Sequence, residues 1–211
     1  MNLILDTSTE NLVVILENNG DCDVSSCPAQ VKHQEFLLPE IERILEKNKV
    51  TLENIDTIGV VVGPGSFTGV RLAVATAKAF CYVYKRIKLV GINMLDFLNF
   101  VCSKMCNENY LVLIKCTATK CYVGERKNGD FEKYILENDK LSVFKSKKLF
   151  ALNLDKVGNI ETEKIVLSPK DYVDYFKSRC EAGDFTDCNS LSIAYMALSQ
   201  AEENLKNAKN N

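Results

Sequence analysis

A duplicated α/β architecture of two lobes is predicted for this 211-residue chain by three observations. A meander of three apolar strands with an Asn-Gly hairpin turn occurs twice, once starting near Leu3 and once at Tyr110. Each meander is followed by segments with helical spacing of apolar residues and by a further short apolar run. Both rounds open on three meandering strands and go on to strand and helix segments, the second less regularly, and two copies are too few for a solenoid, so the repeat reads as two lobes.

Taken in order, Leu3-Ile4-Leu5 is a buried-strand run that ends in the polar loop Asp6-Thr7-Ser8-Thr9. Leu12 to Leu16 is a second strand, and Asn18-Asn19-Gly20 turns the chain into a third, Cys22 to Ser26. From Gln34 to Lys47 the residues Leu37, Ile41, Ile44 and Leu45 recur at helical spacing, with Pro39 near the start, where a missing N–H costs least. Thr57 to Val62 is a strand, Ser66 to Tyr84 a helix rich in small residues, Lys88 to Ile92 a strand and Asn93 to Lys104 a helix. The second round has strands at Tyr110 to Lys115, Cys121 to Glu125 and Phe131 to Leu136, the last two joined by Lys127-Asn128-Gly129-Asp130. A lysine-rich stretch with no defined pattern follows, then a strand at Lys164 to Leu167 and helices at Pro169 to Glu181 and Asn189 to Lys206. The lobes are placed at 1–104 and 105–211, the second the more divergent, with its last helix free to pack back on the first.

Twenty-six basic and 28 acidic residues leave a net charge of −2, so no global field draws the chain to nucleic acid. No apolar run reaches the ~20 residues of a membrane span, and Met1 leads straight into a strand-like segment, so a cytoplasmic protein is expected. The nine cysteines include several inside apolar segments, where a reducing compartment leaves them as small hydrophobes. Cys102 and Cys106 share a helix face, but no C-x-x-C occurs and His33 is the only histidine, which argues against a zinc site of ordinary spacing.

The run Gly63-Pro64-Gly65-Ser66-Phe67-Thr68-Gly69-Val70-Arg71 carries the most information. A glycine-rich turn entering a helix can hold an anion, with Arg71 nearby. Gly69, Ala73 and Ala77 also form a stripe at i, i+4, i+8 that admits a close neighbour, either this protein's own sheet or a helix of another chain. Catalysis finds less support. Asp6 is a weak candidate for a nucleotide-site carboxylate and reads better as an acceptor for its own loop, because the matching place in the second round carries Lys115. Ser66 lacks a G-x-S-x-G elbow and reads as a helix cap, and no second histidine joins His33 to make a metalloprotease site.

Together, Leu5-Asp6-Thr7-Ser8, the helix start His33-Gln34-Glu35-Phe36-Leu37-Leu38-Pro39-Glu40-Ile41 and the Gly63 to Arg71 string resemble the TsaB (YeaZ) family, in order and spacing, from residue 1 to about 98. The resemblance implies an actin-like, Hsp70-like (ASKHA) fold with a mixed sheet and helices in each lobe, and no catalysis of its own. It implies a subunit required for N6-threonylcarbamoyladenosine at position 37 of tRNA, paired with the catalytic homologue TsaD and working with the ATPase TsaE. It further implies a homodimer when alone, tRNA met only through the complex, no cofactor of its own, and room for a nucleotide at the partner interface. On this reading Leu37, Ile41, Ile44 and Leu45 on one helix, with Gly69, Val70, Ala73, Val74 and Ala77 on the next, form the partner interface. Two departures fall in the second lobe: the family tends to place an acidic residue where Lys115-Cys116-Thr117 stands, and a Pro-x-Tyr-x-Arg-like ending is missing. The alternative from another class is an ATP-dependent phosphotransferase or peptidase of the same fold.

Overall fold

A computed structural model describes residues 1–28 and 32–196. Alternation along the first strands sorts the core into two layers. Strand β1 (Asn2–Asp6) sends Leu3 and Leu5 to one face and Ile4 to the other, and β4 (Thr57–Gly63) sends Ile58, Val60 and Val62 one way and Val61 the other. All seven residues of β4 are buried, as a parallel strand covered on both faces requires. Around it lie β2 (Asn11–Asn18), β3 (Asp21–Pro28) and β5 (Lys88–Asn93) in the order β3-β2-β1-β4-β5, with the hairpins antiparallel and β1-β4-β5 parallel. Helices α1 (His33–Lys47) and α2 (Phe67–Val83) cover the Leu3 face. Helix α3 (Met94–Met105) and a helix from the far end of the chain, α4 (Pro169–Glu181), cover the Ile4 face.

The second half repeats the topology. Strands β6 (Tyr110–Lys115), β7 (Lys120–Lys127), β8 (Asp130–Glu137), β9 (Lys148–Leu152) and, after the two-residue strands β10 (Lys156–Val157) and β11 (Ile160–Glu161), β12 (Glu163–Ile165) form a sheet in the order β12-β9-β6-β7-β8. Read from the hairpin side, the two sheets have the same connectivity. Both hairpins turn on an Asn-Gly pair with positive φ at both residues, 51° and 101° at Asn19-Gly20 and 53° and 95° at Asn128-Gly129. This is the primed turn that matches the strand twist.

The halves differ where the second economises. A 3₁₀ turn at Asn138–Phe144 stands where the first half has α1, and the β10-β11 hairpin stands where it has α2. The lysine-rich stretch read as undefined contains β9, which pairs parallel to β6 and buries Leu149 through Leu152. The helix predicted from Asn189 to Lys206 is a second correction. The Asp187 carboxylate accepts the N–H groups of Asn189 and Ser190 at 2.8 Å each, making one turn, and residues 191–196 are not helical. The chain here follows the first sheet instead: Thr186 bridges Leu89, and the Ala194 N–H donates to the Val62 carbonyl at 2.9 Å. The rest of that predicted helix lies outside the described residues.

The 104/105 division falls at the last residue of α3, but the layer between the sheets belongs to both halves: Ile4, Val61 and Ile92 share one cluster with Tyr110, Val112, Phe150 and Phe176. Helix α4 ties them. Its Phe176 ring fills the space over Gly59, where a Cβ would stand 2.6 Å away, and Lys177 pairs at 2.9 Å with Glu17 of β2. Burial alone would raise the Glu17 carboxyl, but hydrogen bonds from Asn2, Lys177 and the Gly20 N–H outweigh it and hold it below the usual carboxylate range. A depressed pKa gives stability that is present above the unfolded value of 4.5 and is lost as pH falls through the folded one. Glu17→Gln should therefore flatten the acid limb of a stability-against-pH curve below that value. An unchanged acid limb in urea titrations would count against this tie.

Candidate functional site

The site starts at the end of β1, where the chain leaves the sheet as Asp6-Thr7-Ser8. All three are buried, and the loop is locked to the start of α2. The Thr7 hydroxyl donates to the Gly69 carbonyl at 2.6 Å, and the Ser66 N–H donates to the Ser8 carbonyl at 2.7 Å. Ser66 caps α2 through its Oγ, which accepts the Gly69 N–H at 3.2 Å. The Ser66 and Gly69 donors, which an anion seated in this turn would use, are thus already engaged, so the Gly63–Gly69 turn reads as a packing device and not as a phosphate cradle. Arg71 does not line it: its Nε donates to the Tyr195 hydroxyl at 3.0 Å and its guanidinium lies 3.7 Å over the Phe67 ring.

Asp6 is fully buried. Its Oδ1 accepts the Ser8 N–H at 2.7 Å and its Oδ2 accepts the Tyr172 hydroxyl of α4 at 2.6 Å. Burial raises the carboxyl above its usual range against the opposing pull of those hydrogen bonds, and pushes the Tyr172 phenol far up. A tyrosine from α4 thus takes the Asp6 Oδ2 position as its hydrogen-bond donor. Lys115 is exposed at the far end of β6. His33 is buried at the start of α1 with its Nε2 unpartnered. Cys102 is buried on α3 and Cys106 just past its end, and burial pushes the Cys102 thiol up to about 12. Among the described residues no three His, Cys, Asp or Glu side chains stand together as a metal would require.

The nine residues predicted as a partner interface lie elsewhere than expected. Leu37, Ile41, Ile44 and Leu45 of α1, and Gly69, Val70, Ala73, Val74 and Ala77 of α2, are all buried inside the first half. Apolar spacing says that a face is buried without saying against what, and here both stripes face the sheet, the Asp6 loop and each other. The small residues let α2 settle on that loop.

A second face remains. Helix α2 carries only two charges, Arg71 and Lys78, and is apolar on its outer side as well. Ala75 and Ala79 are exposed, Leu72, Thr76 and Phe80 are half-buried, and Tyr82 and Val83 are 66% and 68% exposed at its end. Leu72, Ala75, Ala79 and Val83 follow the helical period. Helix α1 adds Leu38, 55% exposed, and Phe36, 38% exposed. The legible signal was that α2 carries only two charges and several apolar residues on the side away from its core stripe, more than a helix with one face in water has reason to carry.

Compared with known proteins, residues 27–164 match the family model described as TsaD, tRNA N6-adenosine threonylcarbamoyltransferase. An uncharacterized protein of Mycoplasma genitalium is 29% identical over 183 residues, covering 79% of this chain and 92% of that one. The tRNA threonylcarbamoyladenosine biosynthesis protein TsaB of Haemophilus influenzae is 38% identical over 80 residues, 38% of this chain and 34% of its own length. A Pseudomonas aeruginosa crystal structure, described as similar to peptidase YeaZ, superposes with a TM-score of 0.74 at 20% identity, covering 93% of this chain and 99% of that one. At that identity the likeness is one of fold.

Proposed function

This chain belongs to the TsaD family, among its TsaB-like members, and from that premise we propose that it serves tRNA N6-threonylcarbamoyladenosine formation as a supporting subunit. In this reading it carries no chemistry of its own. It docks on the catalytic TsaD homologue, with TsaE as a further partner, meets tRNA through that assembly, and pairs with itself when alone. A nucleotide, where one is used, sits between subunits and not on Asp6.

The observation that supports this most is the second apolar face of α2, flanked by Leu38 of α1. Two neighbouring helices, each returning between parallel strands and so running the same way, can complete a four-helix bundle through such a face with an equivalent pair from a homologous chain. The engagement of Asp6 by Tyr172 and of Ser66 by its own helix agrees with the non-catalytic reading. No helix among the described residues is long and apolar enough to cross a membrane.

The experiment is co-purification with the TsaD of the same organism, followed by size-exclusion chromatography with light scattering. A one-to-one complex is expected. Ala75→Arg and Ala79→Arg, both on the outer face, should cost at least tenfold in affinity, about 1.4 kcal/mol, while circular dichroism and thermal melting stay as in the wild type. Full complex yield from both variants would remove α2 from the docking surface.

A further inference from the structure

Cys81 and Cys188 are brought together by the route of the chain after α4. Cys81 lies in the last turns of α2, 5% exposed, with its thiol donating to the Ile87 carbonyl at 3.1 Å. Cys188 lies in the segment that crosses the first sheet, is partly exposed, and packs against the same apolar cluster as Cys81. The antiparallel bridge of Thr186 to Leu89 brings the chain two residues before Cys188 alongside the strand two residues after Ile87, the acceptor of the Cys81 thiol, and the two cysteines interact electrostatically. The approach is anchored on both sides. Thr186 exchanges two backbone hydrogen bonds with Leu89, at 2.8 and 3.0 Å, and Leu191 packs over Gly91 with its methyl 3.2 Å from where a Cβ would stand.

We infer that Cys81 and Cys188 form an oxidisable dithiol, whose disulfide staples the 186–196 segment to α2. The reaction partner is a low-molecular-weight disulfide of the glutathione class. Cys188, the exposed member, loses its proton and attacks one sulfur of that disulfide, expelling one small thiolate, which takes up the proton, and leaving a mixed disulfide. Cys81 then loses its proton and attacks the Cys188 sulfur, closing the protein disulfide and releasing the second small thiol. The protein loses two hydrogens and the small disulfide gains them. The order of attack follows from burial, which raises the Cys81 thiol above its usual range and leaves it the slower nucleophile. Cys102 and Cys121 compete poorly, since burial pushes the first up to about 12 and the second up to about 11.

The test uses the full chain, folded, in oxidised glutathione, followed by alkylation of free thiols in denaturant, digestion and mass spectrometry. A peptide pair joining Cys81 to Cys188 is expected as the main internal disulfide, lost on treatment with dithiothreitol. Exposed Cys22 should carry only glutathione. In Cys81→Ala the mixed disulfide on Cys188 should accumulate severalfold over the wild type, because nothing resolves it. Cys188→Ser should abolish the linked peptides with the circular dichroism spectrum unchanged. A wild-type chain that keeps glutathione on Cys188, or that links Cys81 to other cysteines with equal yield, overturns the assignment.

Discussion

Gly69→Ala is expected to destabilise the protein by about 3 kcal/mol, the upper end for an overpacked core, and is one of the two most damaging changes foreseen. A Cβ at this position would stand 1.8 Å from the Thr7 carbonyl oxygen and 3.0 Å from its carbon. Those are backbone atoms of a buried loop, so no side-chain rotation relieves the overlap, and either α2 or β1 has to move. Movement of the loop also breaks the Thr7–Gly69 and Ser66–Ser8 hydrogen bonds and disturbs the Ser8 N–H donor to Asp6. Urea denaturation followed by circular dichroism reads the effect. A loss under about 1 kcal/mol would mean that the loop and helix are not held as tightly as their hydrogen bonds imply.

Ala73→Arg should be at least as harmful, at roughly 5 kcal/mol, through a different mechanism. Ala73 is fully buried between α2 and the sheet, among apolar side chains. An arginine there must either carry an unpaired charge into that layer, at several kcal/mol, or force the helix off the sheet. A loss of that size is a large part of the whole stability of a domain. The sequence reading alone makes the opposite forecast for this substitution: if Ala73 belonged to a docking face, the arginine would abolish pairing and leave the monomer folded. The structure turns it into a folding defect. The contrast with Ala75→Arg, two positions along and on the outer side of the same helix, is therefore the informative comparison. Ala73→Arg should yield insoluble or molten protein, and Ala75→Arg a folded chain that fails to pair. A well-folded Ala73→Arg monomer would restore the docking reading of the inner stripe.

The two substitutions also show where the sequence speaks and where it falls silent. The Asn-Gly hairpins, the periodic helix α1 and the Ser168-Pro169 start of α4 carry local signals strong enough to fix their positions within a residue or two. Strand β9 was missed because five residues beside a lysine run hold no alternation to count; all that marks it is the apolar run Leu149 to Leu152. The segment after Asn189 has helical spacing on paper, yet the Asp187 side chain and the pairing of Thr186 with Leu89 commit its first part to a turn and an extended path. For the site, the Gly63–Arg71 run was recognisable, and its small residues correctly announced a close approach. Which surface approaches is a tertiary fact: Thr7 lies 62 residues from Gly69, and Tyr172 lies 166 from Asp6.

That last separation bears on how the chain is made. During synthesis the strands and helices of the first half emerge early, but Ile4, Val61 and Ile92 wait for Phe176 and Tyr172 to arrive before their face of the sheet is closed. The first sheet is thus born half-finished and carries an open apolar surface until α4 emerges, a condition that slows folding and invites aggregation. A ribosome that stalls before Pro169 releases a first half that lacks one of its own walls.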